Sequence, residues 1–106
     1  MKRGDVRWAS LPPPSGRRPV LIVTRDEAIP VLTSIVVAEI TGTVRGIRSE
    51  VPVGTEEGLG QESVANCDSL ATVRKAVLDP LAIGSLGAEK MRRLDGALRF
   101  ALGIRH

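Results

Sequence analysis

The amino-acid sequence predicts a mainly β protein with one α-helix at its C-terminal end: a small curled sheet or barrel of about five to seven strands. Over most of the chain, short runs rich in Val, Ile and Thr alternate with turns that contain Gly or Pro, which is typical of short strands. Only from residue 88 onward do apolar residues recur at helical spacing. The chain has 106 residues and no internal repeat or linker, so residues 1–106 are expected to form a single domain.

Three strands are predicted in the first half of the chain. Residues 5–11 form the first strand, and residues 12–16 (PPPSG) form a loop because proline cannot continue a regular ladder. Residues 20–23 (VLIV) are a β-branched run that is typical of a buried strand. Residues 31–41 are the strongest strand candidate, since Val, Ile and Thr dominate them.

Shorter strands are predicted in the middle of the chain, where glycines interrupt the sequence. Residues 49–53 form a short strand candidate, and Gly58-Leu59-Gly60 forms a turn. A fifth strand is expected at residues 63–67 and a sixth at residues 72–78. The predicted sheet is therefore built from consecutive short strands.

A helix is predicted from Ala88 to the end of the domain. Ser85 is the expected N-cap and Gly103 the expected residue after the last turn, because these residue types satisfy the free backbone groups at helix ends. The predicted buried stripe of this helix is Met91, Leu94, Leu98, Ala101 and Leu102.

The composition excludes several classes of chemistry. His106, the last residue, is the one histidine, so paired-histidine catalysis and a Ser-His-Asp triad are not expected. Cys67 is the one cysteine, which excludes an intrachain disulfide and a cysteine-rich zinc site. Trp8 and Phe100 are the only aromatic residues, too few for a base-stacking surface. No glycine-rich nucleotide-binding motif is present, and neither a metal nor a cofactor is expected.

Basic residues are concentrated in the first half of the chain. The formal net charge is +3, and residues 1–48 hold 8 basic and 4 acidic groups. Arg17 and Arg18 lie between the proline loop and a buried strand, where they could clamp a phosphate or form a solvated charge pair. Arg45 could add a further phosphate contact. From this pattern alone, both interpretations of the arginine pair stay open.

The long third strand changes character along its length. Strict alternation places Glu39, Thr41 and Thr43 on the same face as apolar residues that precede them. This face is expected either to leave the core for solvent or to present a polar patch to a groove. The pattern alone does not separate these two alternatives.

Targeting signals are not expected in this sequence. The basic start Met1-Lys2-Arg3 is followed by no apolar stretch, so no signal peptide is predicted. No apolar run approaches the ~18 residues that a membrane-spanning helix needs. A soluble cytoplasmic protein is therefore the expectation.

Five segments, in order along the chain, resemble motifs of the PemK/MazF toxin family. Residues 4–8 (GDVRW) are similar to its opening G-D-[VI]-x-[WY]. Residues 15–24 (SGRRPVLIVT) resemble its G-x-R-P-V-L-I-V-S segment, and residues 36–41 (VVAEIT) resemble its V-x-P-I-T strand. Residues 63–68 (SVANCD) and the L-x-x-A-L-G-like ending at residues 98–103 complete the match.

The resemblance implies a small endoribonuclease toxin of a bacterial toxin–antitoxin pair. Members of this family have an SH3-like or CcdB-like barrel with a C-terminal helix and form homodimers. They cut single-stranded RNA at short sequences without metal, and a cognate antitoxin protein blocks the site. The family's catalytic arginine, directly before the proline of R-P-V, corresponds to Arg18, and its catalytic threonine corresponds to Thr41.

These residue types suit cleavage of RNA by its own 2′-hydroxyl, which leaves a 2′,3′-cyclic phosphate and a 5′-hydroxyl. Arg18 would stabilise the charged phosphorane, and Thr41 would hydrogen-bond a non-bridging oxygen. Glu39, on the same face, is a candidate general base on spacing alone, since the family commonly has proline there. The alternative for Glu39 is a charge partner for a nearby arginine.

Further residues near the proposed site are expected to contact RNA. Two departures from the family pattern, Gly42 in place of its second threonine and Ser69 in place of its common glutamine, bear on the cleavage sequence. The predicted RNA-binding residues are Arg17, Thr43, Arg45, Ser63 and Ser69.

Two other functions compete with an endoribonuclease. The same barrel serves non-catalytic gyrase poisons, and a basic barrel could also be a nucleic-acid-binding module. Gyrase poisons depend on a C-terminal tail that contains Trp, whereas residues 103–106 (GIRH) contain none. The R-P motif at Arg18 together with Thr41 therefore favours the nuclease.

Overall fold

The structure, a computed structural model, describes residues 1–105 and contains six strands and one α-helix. Two short 3-10 helices, Thr55–Glu57 and Lys75–Val77, interrupt the strands. The strands and the helix are β1 (Asp5–Ser10), β2 (Arg17–Ile22), β3 (Ser34–Thr41), β4 (Glu50–Val53), β5 (Ser63–Arg74), β6 (Gly84–Ser85) and α1 (Ala88–Leu102).

All six strands belong to one curled antiparallel sheet with the order β4-β5-β3-β2-β1-β6. β3 lies near the centre and pairs with β2 on one side and β5 on the other. The predicted mainly β class with a C-terminal helix is therefore confirmed, as is the predicted number of strands.

The sheet is buried on both faces at its centre because β2 and β3 alternate apolar side chains between the faces. On one face, α1 packs against β4 and β5. The cluster on that face includes Val6, Leu21, Ala38, Ile40, Val51, Val53, Ala65, Cys67, Leu94 and Ala97. The opposite cluster contains Ala9, Val20, Ile22, Ile29, Ile35, Val37 and Leu78.

The third strand begins later than predicted. Residues 31–33 lie outside β3, which starts at Ser34. The N–H groups of Val31 and Leu32 both donate to the Ala28 carbonyl at 3.1 and 3.0 Å, so this apolar pair closes a turn. Local hydrogen bonding to the preceding segment overrides the β propensity of Val31.

The predicted fifth and sixth strands are one strand, β5. Its pairing with β3 jumps from Ala38 opposite Leu70 to Glu39 opposite Asn66, which leaves residues 67–69 as an excess on β5. This irregularity bends the ladder and explains why the sequence pattern breaks there. The end of the predicted sixth strand instead lies in the second 3-10 helix, Lys75–Val77.

The helix ends confirm one predicted cap and correct the other. Gly103 has a φ of +68° and its N–H donates to the carbonyls of Arg99 and Phe100, as expected for a helix end. The N-cap is Gly87, not Ser85, because Ser85 belongs to β6 and pairs with Asp5 of β1. A two-residue strand has too little sequence to show periodicity.

The buried face of α1 differs in part from the predicted stripe. Leu94 is buried, and Met91, Leu98 and Ala101 pack against the same core. Leu102 is wrong as a core residue, since 57% of it is exposed. Ala97, which the stripe omitted, is buried. Among residues 1–105, no helix is both long and apolar enough to cross a lipid bilayer.

Candidate active site

The pairing of β2 with β3 brings Arg18 and Thr41 together. The paired register ends with Val20 opposite Glu39, and its continuation by two residues along each strand brings Arg18 level with Thr41, so both residues line the same two pockets. Side chains two residues apart on a strand share a face, so Arg18, Glu39 and Thr41 all point to the same side of the sheet. Beyond the buried part of β3, this side of the sheet is a polar patch, which is one of the two alternatives that the sequence left open for this face.

Arg18 and Thr41 form a wall between two adjacent pockets that both contain them. The larger pocket, of about 520 Å³, also takes in the proline-flanked start of β2 and the glycine turn at residues 58–60. The smaller pocket, of about 270 Å³, lies over the junction of β3, β4 and β5. An extended ligand that crossed this wall would meet both residues at its midpoint.

The Arg18 guanidinium is held beside a carboxylate but stays accessible. Its Nη1 lies 3.3 Å from Oε1 of Glu39, and 35% of the Arg18 side chain and 42% of the Glu39 side chain are exposed. The structure therefore pairs Glu39 with Arg18, which agrees with the sequence-based alternative that Glu39 is a charge partner for a nearby arginine. Within the described chain, only Nη1 of Arg18 is engaged, which leaves other donors to face solvent.

Arg17 borders the larger pocket and is fixed by Asp79. Its two terminal nitrogens contact the two Asp79 oxygens at 3.1 and 2.6 Å, and its guanidinium lies 5.3 Å from the centre of the Trp8 ring. These hydrogen bonds raise the pKa of Arg17 and lower the pKa of Asp79. Because the pair is open to solvent, its contribution is to position Arg17 more than to stabilise the fold.

A buried ion pair supports the segment that carries Asp79. Arg7 and Asp5 are both almost completely buried and lie 3.0 Å apart. Arg7 Nη1 also donates to the carbonyls of Asp79 and Pro80 at 2.8 and 2.7 Å. The segment beside the larger pocket is therefore anchored to β1, and Arg17 is anchored through it.

The corner after β3 shapes the smaller pocket. Thr43 donates its backbone N–H to Oγ1 of Thr41 at 3.2 Å. The buried Glu50 carboxylate accepts backbone N–H groups from Arg45 and Gly46 at 2.9 to 3.2 Å. These bonds hold the backbone of Arg45 at the pocket. Arg45 as a whole is exposed to solvent.

All seven site residues predicted from the sequence line at least one of the two pockets. Arg17 and Ser63 border the larger pocket, whereas Thr43, Arg45 and Ser69 border the smaller one. The structure thus brings the predicted set together, and the roles of its members stay predictions.

Sequence reasoning missed three polar residues of the site. Gln61 lines the larger pocket, and Asn66 and Glu50 line the smaller one. Asn66 Nδ2 donates to Oγ of Ser69 at 3.3 Å and so links the last paired residue to the excess residues of β5. No sequence signal marks these positions. The sheet irregularity and the corner after β3 determine which side chains face the groove that the two pockets form together.

Another depression lies at the end of α1, and neither Arg18 nor Thr41 lines it. It has a volume of about 880 Å³ and is lined by three arginines, Arg48, Arg99 and Arg105, together with Phe100. The Arg48 guanidinium lies 4.6 Å from the centre of the Phe100 ring. Its described lining residues include no carboxylate or hydroxyl group, so it lacks the mixed polar chemistry of the Arg18–Thr41 wall.

The whole described fold is similar to solved toxin structures. The Mycobacterium tuberculosis toxin MazF-mt6 is 39% identical, with a TM-score of 0.87 over 96% of this chain and 99% of that one. An endoribonuclease in complex with its cognate antitoxin, from a mycobacterial species, is 27% identical, with a TM-score of 0.86 over 100% and 98%.

Sequence comparison points to the same group of proteins. The chain is 39% identical over 101 residues to the probable endoribonuclease MazF5 of Mycobacterium tuberculosis strain H37Rv, covering 94% of this chain and 91% of that protein. It is 54% identical over 56 residues to the endoribonuclease MazF3 of strain CDC 1551. That match spans 53% of this chain and about half, 54%, of the length of MazF3. Residues 2–102 match the PemK-like, MazF-like toxin family of type II toxin–antitoxin systems, and the chain belongs to this family.

Proposed function

We propose that the protein is a sequence-specific, metal-independent endoribonuclease toxin that cleaves single-stranded RNA and thereby inhibits translation and growth. The observation that carries this proposal is the position of Arg18 opposite Thr41 on a wall shared by two pockets. The endoribonuclease names of MazF3 and MazF5 support it.

Arg18 is the proposed stabiliser of the transition state. A phosphodiester that lies on the wall presents non-bridging oxygens to the guanidinium nitrogens that Glu39 leaves free. Negative charge on these oxygens grows as the phosphorane forms, so a fixed cation beside them lowers the barrier. The pairing of Arg18 with Ala9 of β1 and its ion pair with Glu39 hold this cation in place before RNA arrives.

Thr41 supplies a second contact to the same phosphate. Its Oγ1 accepts the Thr43 N–H, which leaves the hydroxyl hydrogen free to donate to a non-bridging oxygen. The 2′-oxygen of the preceding ribose then attacks phosphorus, a 2′,3′-cyclic phosphate forms, and the bond to the 5′-oxygen breaks. Arg18 and Thr41 position the phosphate for this attack and stabilise its charge.

Nucleotides on either side of the cut occupy the two pockets. Arg17 and Ser63 contact RNA in the larger pocket, whereas Thr43, Arg45 and Ser69 contact it in the smaller one. Hydroxyl and amide groups can read base edges, while the arginines bind phosphates. Sequence preference would therefore arise from the pocket walls, and affinity from the cations.

The proposed biological setting is a bacterial cytoplasm in which a cognate antitoxin restrains a homodimer of this chain. The basic excess of residues 1–48 offers an electrostatic target for an acidic and apolar antitoxin segment. Such a segment would block RNA by occupying the groove around Arg18. Purified antitoxin should therefore abolish cleavage at stoichiometric concentration.

The experiment that tests the function incubates the pure protein with a long RNA in EDTA. Discrete fragments with 5′-hydroxyl and 2′,3′-cyclic phosphate ends are expected, and mapping the fragment ends gives the cleavage sequence. An oligonucleotide with a 2′-deoxyribose at the mapped position should stay intact, because it lacks the attacking group. Intact RNA in every reaction would overturn the proposal and favour a gyrase poison or a binding module.

A further inference from the structure

We propose that Glu39 is the general base that removes the proton from the attacking 2′-hydroxyl. This inference rests on the proposed function and adds a catalytic residue to it. Neither Arg18 nor Thr41 is suited to accept a proton, since a guanidinium stays protonated and an aliphatic hydroxyl is a very weak base. The cleavage reaction therefore needs another group beside them.

The chemistry of RNA requires the general base to lie where Glu39 is found. The attacking 2′-oxygen and the scissile phosphorus are separated by only the ribose carbons and the 3′-oxygen, so the base must lie next to the phosphate clamp. Oε1 of Glu39 is 3.3 Å from Nη1 of Arg18, on the same face of the sheet as Thr41. The second oxygen, Oε2, has no hydrogen-bond partner within residues 1–105 and is available to the ribose.

The smaller pocket holds one other carboxylate, Glu50, and its contacts exclude it as a base. Its two oxygens accept hydrogen bonds from two backbone N–H groups, those of Arg45 and Gly46, and the residue is only 3% exposed. The larger pocket is lined by no Asp, Glu or His among the described residues. Glu39 is 42% exposed at the side chain and is therefore the carboxylate that substrate can reach.

The step balances without any group besides water. The 2′-O–H bond breaks and its proton passes to the Glu39 carboxylate, while the 2′-oxygen forms a bond to phosphorus. The bond from phosphorus to the 5′-oxygen breaks, and that oxygen takes a proton from water. Glu39 then returns its proton to water, and no oxidation or reduction occurs.

The ion pair with Arg18 couples proton removal by Glu39 to phosphate binding by Arg18. One N–H of the guanidinium fixes the carboxylate, and the remaining donors can bind the phosphate, so base and clamp keep a constant spacing. The charged residues that line the smaller pocket together with Glu39 are Arg18 from β2, Arg45 from the corner after β3, and Glu50 from β4. β5 contributes the neutral Asn66 and Ser69.

The test compares Glu39→Gln with Glu39→Asp and with the control Glu27→Gln, which removes an exposed carboxylate outside both pockets. Single-turnover cleavage of the mapped RNA is measured across acid to neutral pH, and thermal melts verify folding. Glu39→Gln should cleave about 10²–10⁴-fold more slowly than the parent. The rate of the parent is expected to fall as pH decreases, and Glu39→Gln should lose this fall, because an amide has no proton to gain.

The conservative variant separates catalysis from positioning. Glu39→Asp should be slow because its carboxylate is set back, yet it should keep the decrease in rate at low pH. A Glu39→Gln rate close to that of the parent would overturn the inference. So would a slow Glu39→Gln that keeps the parental pH profile, since Glu39 would then act only as an anchor for Arg18. A parent protein that leaves RNA intact would instead refute the proposed function.

Discussion

Arg17 and Asp79 are 62 residues apart in the sequence and form a two-point ion pair at the edge of the larger pocket, with contacts of 2.6 and 3.1 Å. The Asp79 backbone is itself fixed, because its N–H donates to the Trp8 carbonyl at 2.9 Å and its carbonyl accepts Arg7. Contacts within the protein therefore hold Arg17 at the groove before any ligand binds.

An RNA-binding role for Arg17 predicts a change in salt dependence. Arg17→Ala should weaken binding of single-stranded RNA and reduce the slope of log affinity against log salt by about 0.7, the value for one lost phosphate contact. The single-turnover rate at saturation should change little. Fluorescence anisotropy over a salt series measures the slope, with Arg25→Ala as an exposed control. An unchanged slope would mean that Arg17 pairs only with Asp79 and does not contact an RNA phosphate.

Arg18 carries the largest predicted effect on cleavage. Arg18→Ala should reduce the rate by about 10²–10³-fold, the cost of removing one transition-state donor. Arg18→Lys keeps the charge but loses the planar fork, so it should recover only part of the rate. Thermal melts should match the parent, because the side chain is partly exposed. Parental cleavage by a folded Arg18→Ala would refute the assignment, and Arg105→Ala serves as an exposed control.

Thr41→Val tests the hydroxyl without changing the shape of the side chain. The loss of a hydrogen bond to a charged oxygen, worth about 1.5–3 kcal/mol, should slow cleavage by about 10–100-fold. Thr72→Val, on an exposed part of β5, is the matched control. Quenched-flow assays at saturating RNA give the comparison, and equal rates for both variants would exclude a catalytic role for Thr41.

Cys67 should be unreactive in the folded protein. Its side chain is almost completely buried, and burial first, then Asp68, raises the pKa of the thiol to about 11. At pH 8, iodoacetamide should label it only after denaturation, as followed by mass spectrometry. Rapid labelling of the native protein would contradict this burial.

The raised pKa of Cys67 also predicts a loss of stability at alkaline pH. The unfolded thiol ionises near pH 9, whereas the folded thiol keeps its proton to about pH 11. The unfolded state therefore releases the proton first, and the free energy of unfolding should decrease as pH rises through this window. Urea titrations of the parent should show a larger alkaline decrease than those of Cys67→Ala.

A homodimer is predicted from exposed apolar surface. Sedimentation equilibrium at micromolar concentration should give twice the chain mass of 11.3 kDa. A monomer mass would contradict the prediction. The large apolar side chains left exposed in the single chain are Met1, Val31, Leu32, Val44, Ile47, Leu81, Phe100, Leu102 and Ile104.

Sequence reasoning reached the fold class and the family, both of which are confirmed. Alternation along β3 also placed Glu39 and Thr41 on one face, because period-two patterning survives in a regular strand. It could not show that residues 63–74 form one strand, since the excess residues of β5 break the period. Nor could it find Glu50, whose place in the site depends on backbone groups of the corner after β3.

The excess residues 67–69 of β5 keep two properties of the groove independent. The β2–β3 register that aligns Arg18 with Thr41 does not involve β5, whereas the smaller pocket takes Asn66 and Ser69 from the irregular stretch and its edge. Substitutions or insertions there would remodel the groove floor and leave that alignment untouched. Under the proposed function, descendants of this chain can diverge in the RNA sequences they select while they inherit the same means of cutting.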